Sequence, residues 1–382
     1  MKPSARKPIL LALPGAFGPT GGIEMYNRLL IKAFHEIARE RGTTCETLLL
    51  LDAESHFDDR YSGSGMPRPR WFAGSRPRFA ASILARAALL DPGLIVFGHV
   101  NFALAAVAAR ALRPHAAQWF ITHGIEVWRR MSPQQRLAVG TAERVLAVSD
   151  YTRTQLVQHN GVRRSRVGLQ PCALDPFWAD DFARLRDPAA ANGKVDPERP
   201  LLMTVARLAD SDRYKGIDQV IRALPAIARA VPGVRYAIIG DGTDRPRLEQ
   251  VARDHGVAER VEFRGRLSPE ALAEAYAESS LFVMPSAKEG FGIVFLEAAL
   301  FGKPSIGGNH GGTPEVIVDG TTGRLVTYDD VEGFASTCVD LLADRARLAA
   351  MGAAARQRLE ERFTYPSYLR NLRAHVHSGL DS

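Results

Sequence analysis

Glu289 and Glu297 enclose the run Glu-Gly-Phe-Gly-Ile-Val-Phe-Leu-Glu, two carboxylates eight residues apart with Gly290 and Gly292 between them. Glycines let a backbone come close to a ligand and offer bare amides. A helix beginning near Gly292 adds the positive end of its dipole, so the spacing suits a phosphate cradle. Glu289, in the loop before the cradle, has the chemistry to accept hydrogen bonds from sugar hydroxyls. Glu297, inside the helix, has the chemistry to hold both hydroxyls of a ribose. A capped helix with one exposed acid fits the same residues, and this stretch alone leaves both readings open.

The elements around the acid pair narrow the choice. Leu201 to Leu208, LLMTVARL, reads as a buried strand, and the loop after it carries Arg207 and then Lys215-Gly216 at the mouth of a helix. Two cations in a strand-to-helix loop suit a diphosphate. Val234 to Gly240 is a second strand, ending in Gly240-Asp241-Gly242. Val261 to Phe263 leads to Arg264-Gly265-Arg266-Leu267, where a glycine lets a flat base approach the backbone, and GGNHGGTPE over Gly307 to Glu315 closes the series. Each candidate lies at the C-terminal end of a strand, the edge where open parallel sheets take ligands.

This combination, over roughly Leu201 to Val326, resembles the nucleotide-sugar half of the family-4 retaining glycosyltransferases of the GT-B fold. The resemblance implies an α/β fold of two Rossmann-like, doubly wound domains facing each other across a cleft. It implies that Arg207 and Lys215 hold the donor diphosphate, that Glu289 contacts the transferred sugar, that the amides at Phe291 and Gly292 meet sugar or phosphate, with Ile293 beside them on the donor surface, and that Glu297 binds ribose. Gly240, Gly242, Gly265, Arg266, Leu267 and Gly290 complete the donor surface in this reading. Gly21 and Gly22 are implied to lie opposite the donor; a tight turn needed only for folding is their other reading.

The N-terminal half repeats the alternation with looser motifs. Ile9 to Leu13 reads as a strand, Pro14 to Gly22 as a glycine-rich loop and Ile23 to Glu40 as a helix. No Gly-Lys-Ser or Gly-Lys-Thr follows the loop, which excludes a P-loop, and G-x-G-x-x-G is not met, which disfavours a nicotinamide site. Gln118 to Thr122 is a strand with His123-Gly124-Ile125-Glu126 at its end. The family resemblance gives His123 contact with the transferred sugar; Glu126 either orients the acceptor or caps the next element.

Charge divides unevenly. Met1 to Trp178 holds 23 Lys and Arg against 13 Asp and Glu, whereas the remainder holds 26 against 29. Arg60 to Leu90 contains six arginines and no acid, with Trp71, Phe72 and Phe79 interleaved. Arg68, Arg70 and Trp71 are therefore the acceptor candidates, and the segment suits an anionic membrane surface or a lipid-linked acceptor, or else is a solvated loop and helix. No nucleic-acid motif accompanies the charge, so nucleic acid is not an expected partner.

A chain of 382 residues exceeds what one core usually fills. We expect an acceptor-side domain over 1–180, a proline-containing linker over 181–200, a nucleotide-sugar domain over 201–364 and a final helix over 365–382 that crosses back to the first domain. No apolar run reaches membrane-spanning length, and ILLAL near the start is a strand rather than a signal peptide. Cys45, Cys172 and Cys338 show no metal spacing and read as reduced thiols, which fits a cytoplasmic protein, peripheral at the inner face of the membrane.

Asp210-Ser211-Asp212 has the Asp-x-Asp spacing that other glycosyltransferases use for a divalent ion, but it sits between Arg207 and Lys215 and is read as a loop insertion. Neither metal nor cofactor is expected. The implied activity is metal-independent transfer of a hexose, preferably mannose from GDP-mannose, to a polysaccharide or lipid-linked cell-envelope acceptor, with retention of configuration. A nucleotide-sugar 2-epimerase of the same architecture and a non-catalytic binder are the alternatives.

Overall fold

The computed structural model describes residues 6–18, 21–63, 65–181, 195–196 and 198–380. It divides into two compact units, Met1–Ala173 with Tyr365–Ser382, and Leu174–Thr364. The boundary falls a few residues before position 180 because the chain there already packs on the second unit. Leu174 N–H donates to Phe363 O at 2.8 Å, and Trp178 lies edge-on to Tyr276 and Phe301. Most of the expected linker, 182–194 and 197, is outside the described residues.

The first unit is built on β1 (Ile9–Leu13), β2 (Cys45–Leu49), β3 (Arg70–Trp71), β4 (Leu94–Phe97), β5 (Ala117–Thr122), β6 (Arg144–Ala147) and β7 (Val167–Leu169), in the order β3-β2-β1-β4-β5-β6-β7. All its neighbours pair in parallel. Strands such as ILLAL and LIVF are apolar throughout because helices cover both faces of a parallel sheet. Its helices are α1 (Gly22–Glu40), α2 (Arg76–Leu90), α3 (Ala103–Leu112), α4 (Pro133–Thr141) and α5 (Asp150–Asn160).

The second unit opens with the short α6 (Pro176–Asp181) and has β8 (Leu201–Val205), β9 (Arg235–Ile239), β10 (Val261–Gly265), β11 (Leu281–Met284), β12 (Ser305–Gly308) and β13 (Gly323–Val326), in the order β10-β9-β8-β11-β12-β13, again parallel. Its helices continue as α7 (Ile217–Ala230), α8 (Arg245–Asp254), α9 (Pro269–Glu278), α10 (Ile293–Leu300), α11 (Thr313–Val316), α12 (Val331–Ala343) and α13 (Arg345–Arg362). Leu202, Ile238, Val283 and Ile306 from four adjacent strands sit in one buried core with Val220 and Leu224 of α7.

The last helix, α14 (Tyr365–Leu380), belongs to the first unit. Its His375 Nε2 pairs with Leu169 O at 2.9 Å, its Arg373 bonds Glu40, and Lys32 stands over the Tyr365 ring. Among the described residues no helix is long and apolar enough to cross a membrane.

In each sheet the strand order reverses once, between β1 and β4 and between β8 and β11. Crevices outside the carboxyl ends of strands at such a switch point are where open α/β sheets bind ligands.

Candidate functional site

In the second unit both motifs that flank the switch point come from the two strands that create it. The loop after β8 carries Arg207 and Lys215, and the loop after β11 carries Glu289 to Gly292. Lys215 Nζ lies 3.6 Å from Glu289 Oε2, and the two side chains are each 17% exposed. Glu289 Oε2 is buried and accepts no hydrogen bond among the described residues. A buried carboxylate oxygen short of a partner is costly in a finished core and ordinary in a site awaiting a donor group.

Gly292 explains how the cradle is shaped. It takes φ +94° as the cap of α10, and a Cβ there would press into the Phe295 ring at 2.5 Å, so the turn requires glycine. Phe291 buries its ring edge-on to Phe363 at 5.6 Å, anchoring the loop by its side chain. Ile293 is buried as well, so this stretch can turn only main-chain groups outward. The GGTPE loop is tied to it: Gly312 N–H donates to Glu289 O at 2.7 Å, and a Cβ on Gly312 would meet Gly290 O at 2.3 Å.

Gly240 and Gly242 have a role the sequence did not reveal. Cβ atoms on them would meet Ala206 O at 1.8 Å and Leu208 O at 2.3 Å, so these glycines let the end of β9 lie against the loop that carries Arg207. They shape the site from behind. Gly265, by contrast, faces open space, with Arg266 exposed and Leu267 half-buried beside it.

Glu297 sits inside α10, nearly fully buried, where Tyr276 OH donates to its Oε2 at 2.7 Å. Burial and then the neighbouring carboxylate push the Tyr276 phenol well above its ordinary range, so it stays protonated and remains a donor. Tyr276 is in turn stacked on Phe301 at 5.6 Å. Sequence reasoning misses this orienting partner; its one sequence signal is an aromatic on the buried side of α9.

The Asp-x-Asp run is spent on arginines. Arg207 Nε donates to Asp212 Oδ2 at 2.8 Å, and Arg213 pairs with Asp210 at 2.6 Å. Among the described residues no group of three or more His, Cys, Asp or Glu side chains is arranged to hold a metal ion.

In the first unit His123 follows β5, with its Nε2 2.8 Å from Gly98 O and its ring edge-on to Tyr26 at 5.3 Å. His99, at the end of β4, lies alongside it with ring centroids 6.1 Å apart, and burial holds its imidazole below the ordinary histidine range. Glu126 Oε1 accepts from His123 N–H at 2.5 Å, so this carboxylate braces the turn after β5. Gly21 caps α1 with extended backbone and Gly22 opens the helix. The loop ahead of them is pinned by a residue that sequence reasoning missed. Asp52 accepts hydrogen bonds from Ala16 N–H at 2.7 Å, from Phe17 N–H at 2.9 Å and from Gly18 N–H. These amides therefore serve an internal carboxylate.

The arginine segment is less bare than its sequence. Arg60 bonds Asp58, Arg68 pairs with Asp59 at 3.3 Å, Arg70 lies 3.9 Å from Glu46, and Arg86 bonds Glu46. All these acids lie outside the segment. Trp71 packs edge-on to Phe57 and Phe17. Arg76 and Arg78 remain exposed, with no ion pair among the described residues.

Comparison with known proteins decides the family. The sequence profile described as "Glycosyltransferase Family 4" matches residues 20–176 and that described as "Glycosyl transferases group 1" matches residues 186–358. A Mycobacterium tuberculosis protein, "GDP-mannose-dependent alpha-(1-6)-phosphatidylinositol monomannoside mannosyltransferase", is 36% identical over 272 residues, 66% of this chain and 68% of its own. The chain belongs to the family-4 glycosyltransferases. A Mycolicibacterium smegmatis protein of the same description is 38% identical over 247 residues, so this family-4 chain spans 63% of that relative's length and the match covers 62% of its own. The fold is that of GT-B glycosyltransferases: the Anabaena HepE structure in complex with UDP and glucose superposes with a TM-score of 0.77, at 20% identity, over 98% of this chain and 100% of that one.

Proposed function

We propose that this family-4 chain is a retaining, metal-independent hexosyltransferase that moves mannose from GDP-mannose to a lipid-linked or polysaccharide acceptor of the cell envelope. The observation that carries it is the meeting of Lys215 and Glu289 at the switch point of the second sheet, with Arg207 on the same loop as Lys215, and with Glu289 Oε2 buried without a hydrogen bond among the described residues. Two cations and a carboxylate suit a diphosphate joined to a sugar. The choice of GDP-mannose rests on the two mycobacterial relatives whose descriptions name that donor.

In this reading the bond between the anomeric carbon and the diphosphate oxygen breaks while Arg207, Lys215 and the amides at Phe291 and Gly292 take up the charge left on the diphosphate. The acceptor hydroxyl forms the new bond on the same face of the sugar and passes its proton to the departing phosphate oxygen. The products are a glycoside and a nucleoside diphosphate. Glu289 orients the transferred sugar and Glu297 holds the ribose, both from the second unit. The exposed Arg76 and Arg78, with Arg68, Arg70 and Trp71, present the surface for a lipid-linked acceptor at the cytoplasmic face of a membrane.

The test is a thermal-stabilisation screen of guanosine, uridine, adenosine and thymidine diphosphates and their sugars, followed by transfer assays with and without a chelator. GDP-mannose is expected to raise the melting temperature most, and the product to keep the α configuration in chelator. Strong stabilisation by another donor alone overturns the sugar assignment; loss of transfer in chelator overturns metal independence.

A further inference from the structure

Arg207 lies on an exposed loop, its side chain 70% exposed, while the carboxylate it bonds is 6% exposed. A long side chain bonded to a fixed carboxylate samples fewer rotamers, and a fixed cation is a better electrostatic catalyst. Asp212 is itself held: its N–H donates to Ala209 O at 2.8 Å, and Ser211 Oγ donates to its Oδ1 at 3.3 Å.

The turn carrying it, Asp210–Lys215, is clipped at a distance on two sides. Arg213 Nε donates to the buried Asp244 at 3.1 Å, and Tyr214 O accepts from Ala287 N–H at 2.8 Å, at the root of the loop that carries Glu289. The insertion between Arg207 and Lys215 therefore ties the arginine, the lysine and the Glu289 loop into one frame.

We infer that Asp212 is a positioning residue, which fixes the Arg207 guanidinium for the donor diphosphate. The inference rests on the donor-site reading above. Asp212 acts through Arg207 alone and touches no ligand, and its bond to Nε, the guanidinium nitrogen nearest the chain, sets the direction of the whole group.

The experiment is a double-mutant cycle read by calorimetric titration with GDP and UDP, together with donor KM and kcat. D212A is expected to weaken diphosphate binding about tenfold and to raise donor KM more than it lowers kcat. D212N, which keeps an oxygen for Arg207 Nε, retains most of the affinity. In an R207A background D212A costs nothing further.

An equal loss in both backgrounds, or a change under about twofold in D212A, overturns the inference, as does magnesium-enhanced binding in the wild type that D212A abolishes. If D212A does not fold, D212S, whose shorter side chain withdraws the carboxylate from Arg207 Nε, carries the cycle in both backgrounds. Wild-type protein that binds neither nucleotide removes the donor-site reading and this inference together; wild-type binding with an additive cycle removes this inference alone.

Discussion

Lys215 Nζ and Glu289 Oε2 stand 3.6 Å apart at the ends of two strands that are neighbours in the sheet but 76 residues apart from β8 to β11, counted from Val205 to Leu281. At that distance the pair attracts without a good hydrogen bond, so each group keeps capacity for a ligand. In the proposed donor site the lysine serves the phosphates and the carboxylate accepts from sugar hydroxyls.

Lys215→Ala is expected to leave the fold intact and remove most turnover, a loss of roughly 2 to 4 kcal/mol of transition-state stabilisation by analogy with other single stabilising donors. Steady-state kinetics on GDP-mannose beside a melting curve checks it. Near-normal kcat in a folded variant would sink the assignment.

Glu289→Gln and Glu297→Gln should separate sugar from nucleotide. The first is expected to lower kcat for GDP-mannose while GDP affinity stays within about twofold, because it alters only the sugar contact. The second should weaken GDP itself. Titration of both variants with GDP decides, and matching losses of GDP affinity would refute the division of labour.

Tyr276→Phe removes the donor to Glu297 Oε2 and leaves a buried carboxylate with one bond fewer. A cost of about 1 to 3 kcal/mol in chemical denaturation is expected. An unchanged denaturation midpoint and slope would show that the bond contributes nothing.

His35 gives the first unit an acid-sensitive core. Burial pushes its imidazole down to about 4, and Gly63 N–H donates to its Nδ1 at 3.4 Å. The unfolded chain binds a proton near pH 6.5 while the folded one resists until about 4, so stability is complete above the unfolded value and falls as pH drops through that window, by roughly 3 kcal/mol in all. Denaturant titrations at several pH values should show this limb, and His35→Asn should flatten it. An identical slope in the variant would assign the limb to other groups.

Arg76 and Arg78 are the arginines of the 60–90 segment with no acid partner among the described residues. Replacing both with serine should lower partitioning onto anionic vesicles at low salt far more than replacing Arg60 and Arg86, whose charges are already met by Asp58 and Glu46. Equal partitioning of wild type and the Arg76/Arg78 variant would exclude this surface.

Much of the proposed donor site's placement was legible in sequence because a parallel α/β chain puts every strand's C-terminal end on one edge. Reading strand, then loop, then helix places Arg207, Lys215, Glu289 and Gly292 on that edge before any coordinate is known. The buried strands announced themselves by unbroken apolar runs, as in ILLAL. What escaped were contacts between residues distant in sequence. Asp52 bonds amides 34 to 36 residues before it, and Arg86 reaches Glu46 across 40 residues. Gly240 and Gly242 were visible as glycines, but the carbonyls they accommodate lie in another loop.

The sequence alone thus determined which chemical groups line the strand ends, since their order along the chain and the handedness of parallel connections leave little freedom. The tertiary structure decided which of those charges are committed to each other. Asp212 is committed to Arg207, Glu126 to the His123 amide, and most of the arginine segment to nearby acids, while Glu289 Oε2 is left buried without a hydrogen bond. The reason is physical: an ion pair or hydrogen bond is won within about 3 to 4 Å, and only the folded backbone sets distances on that scale.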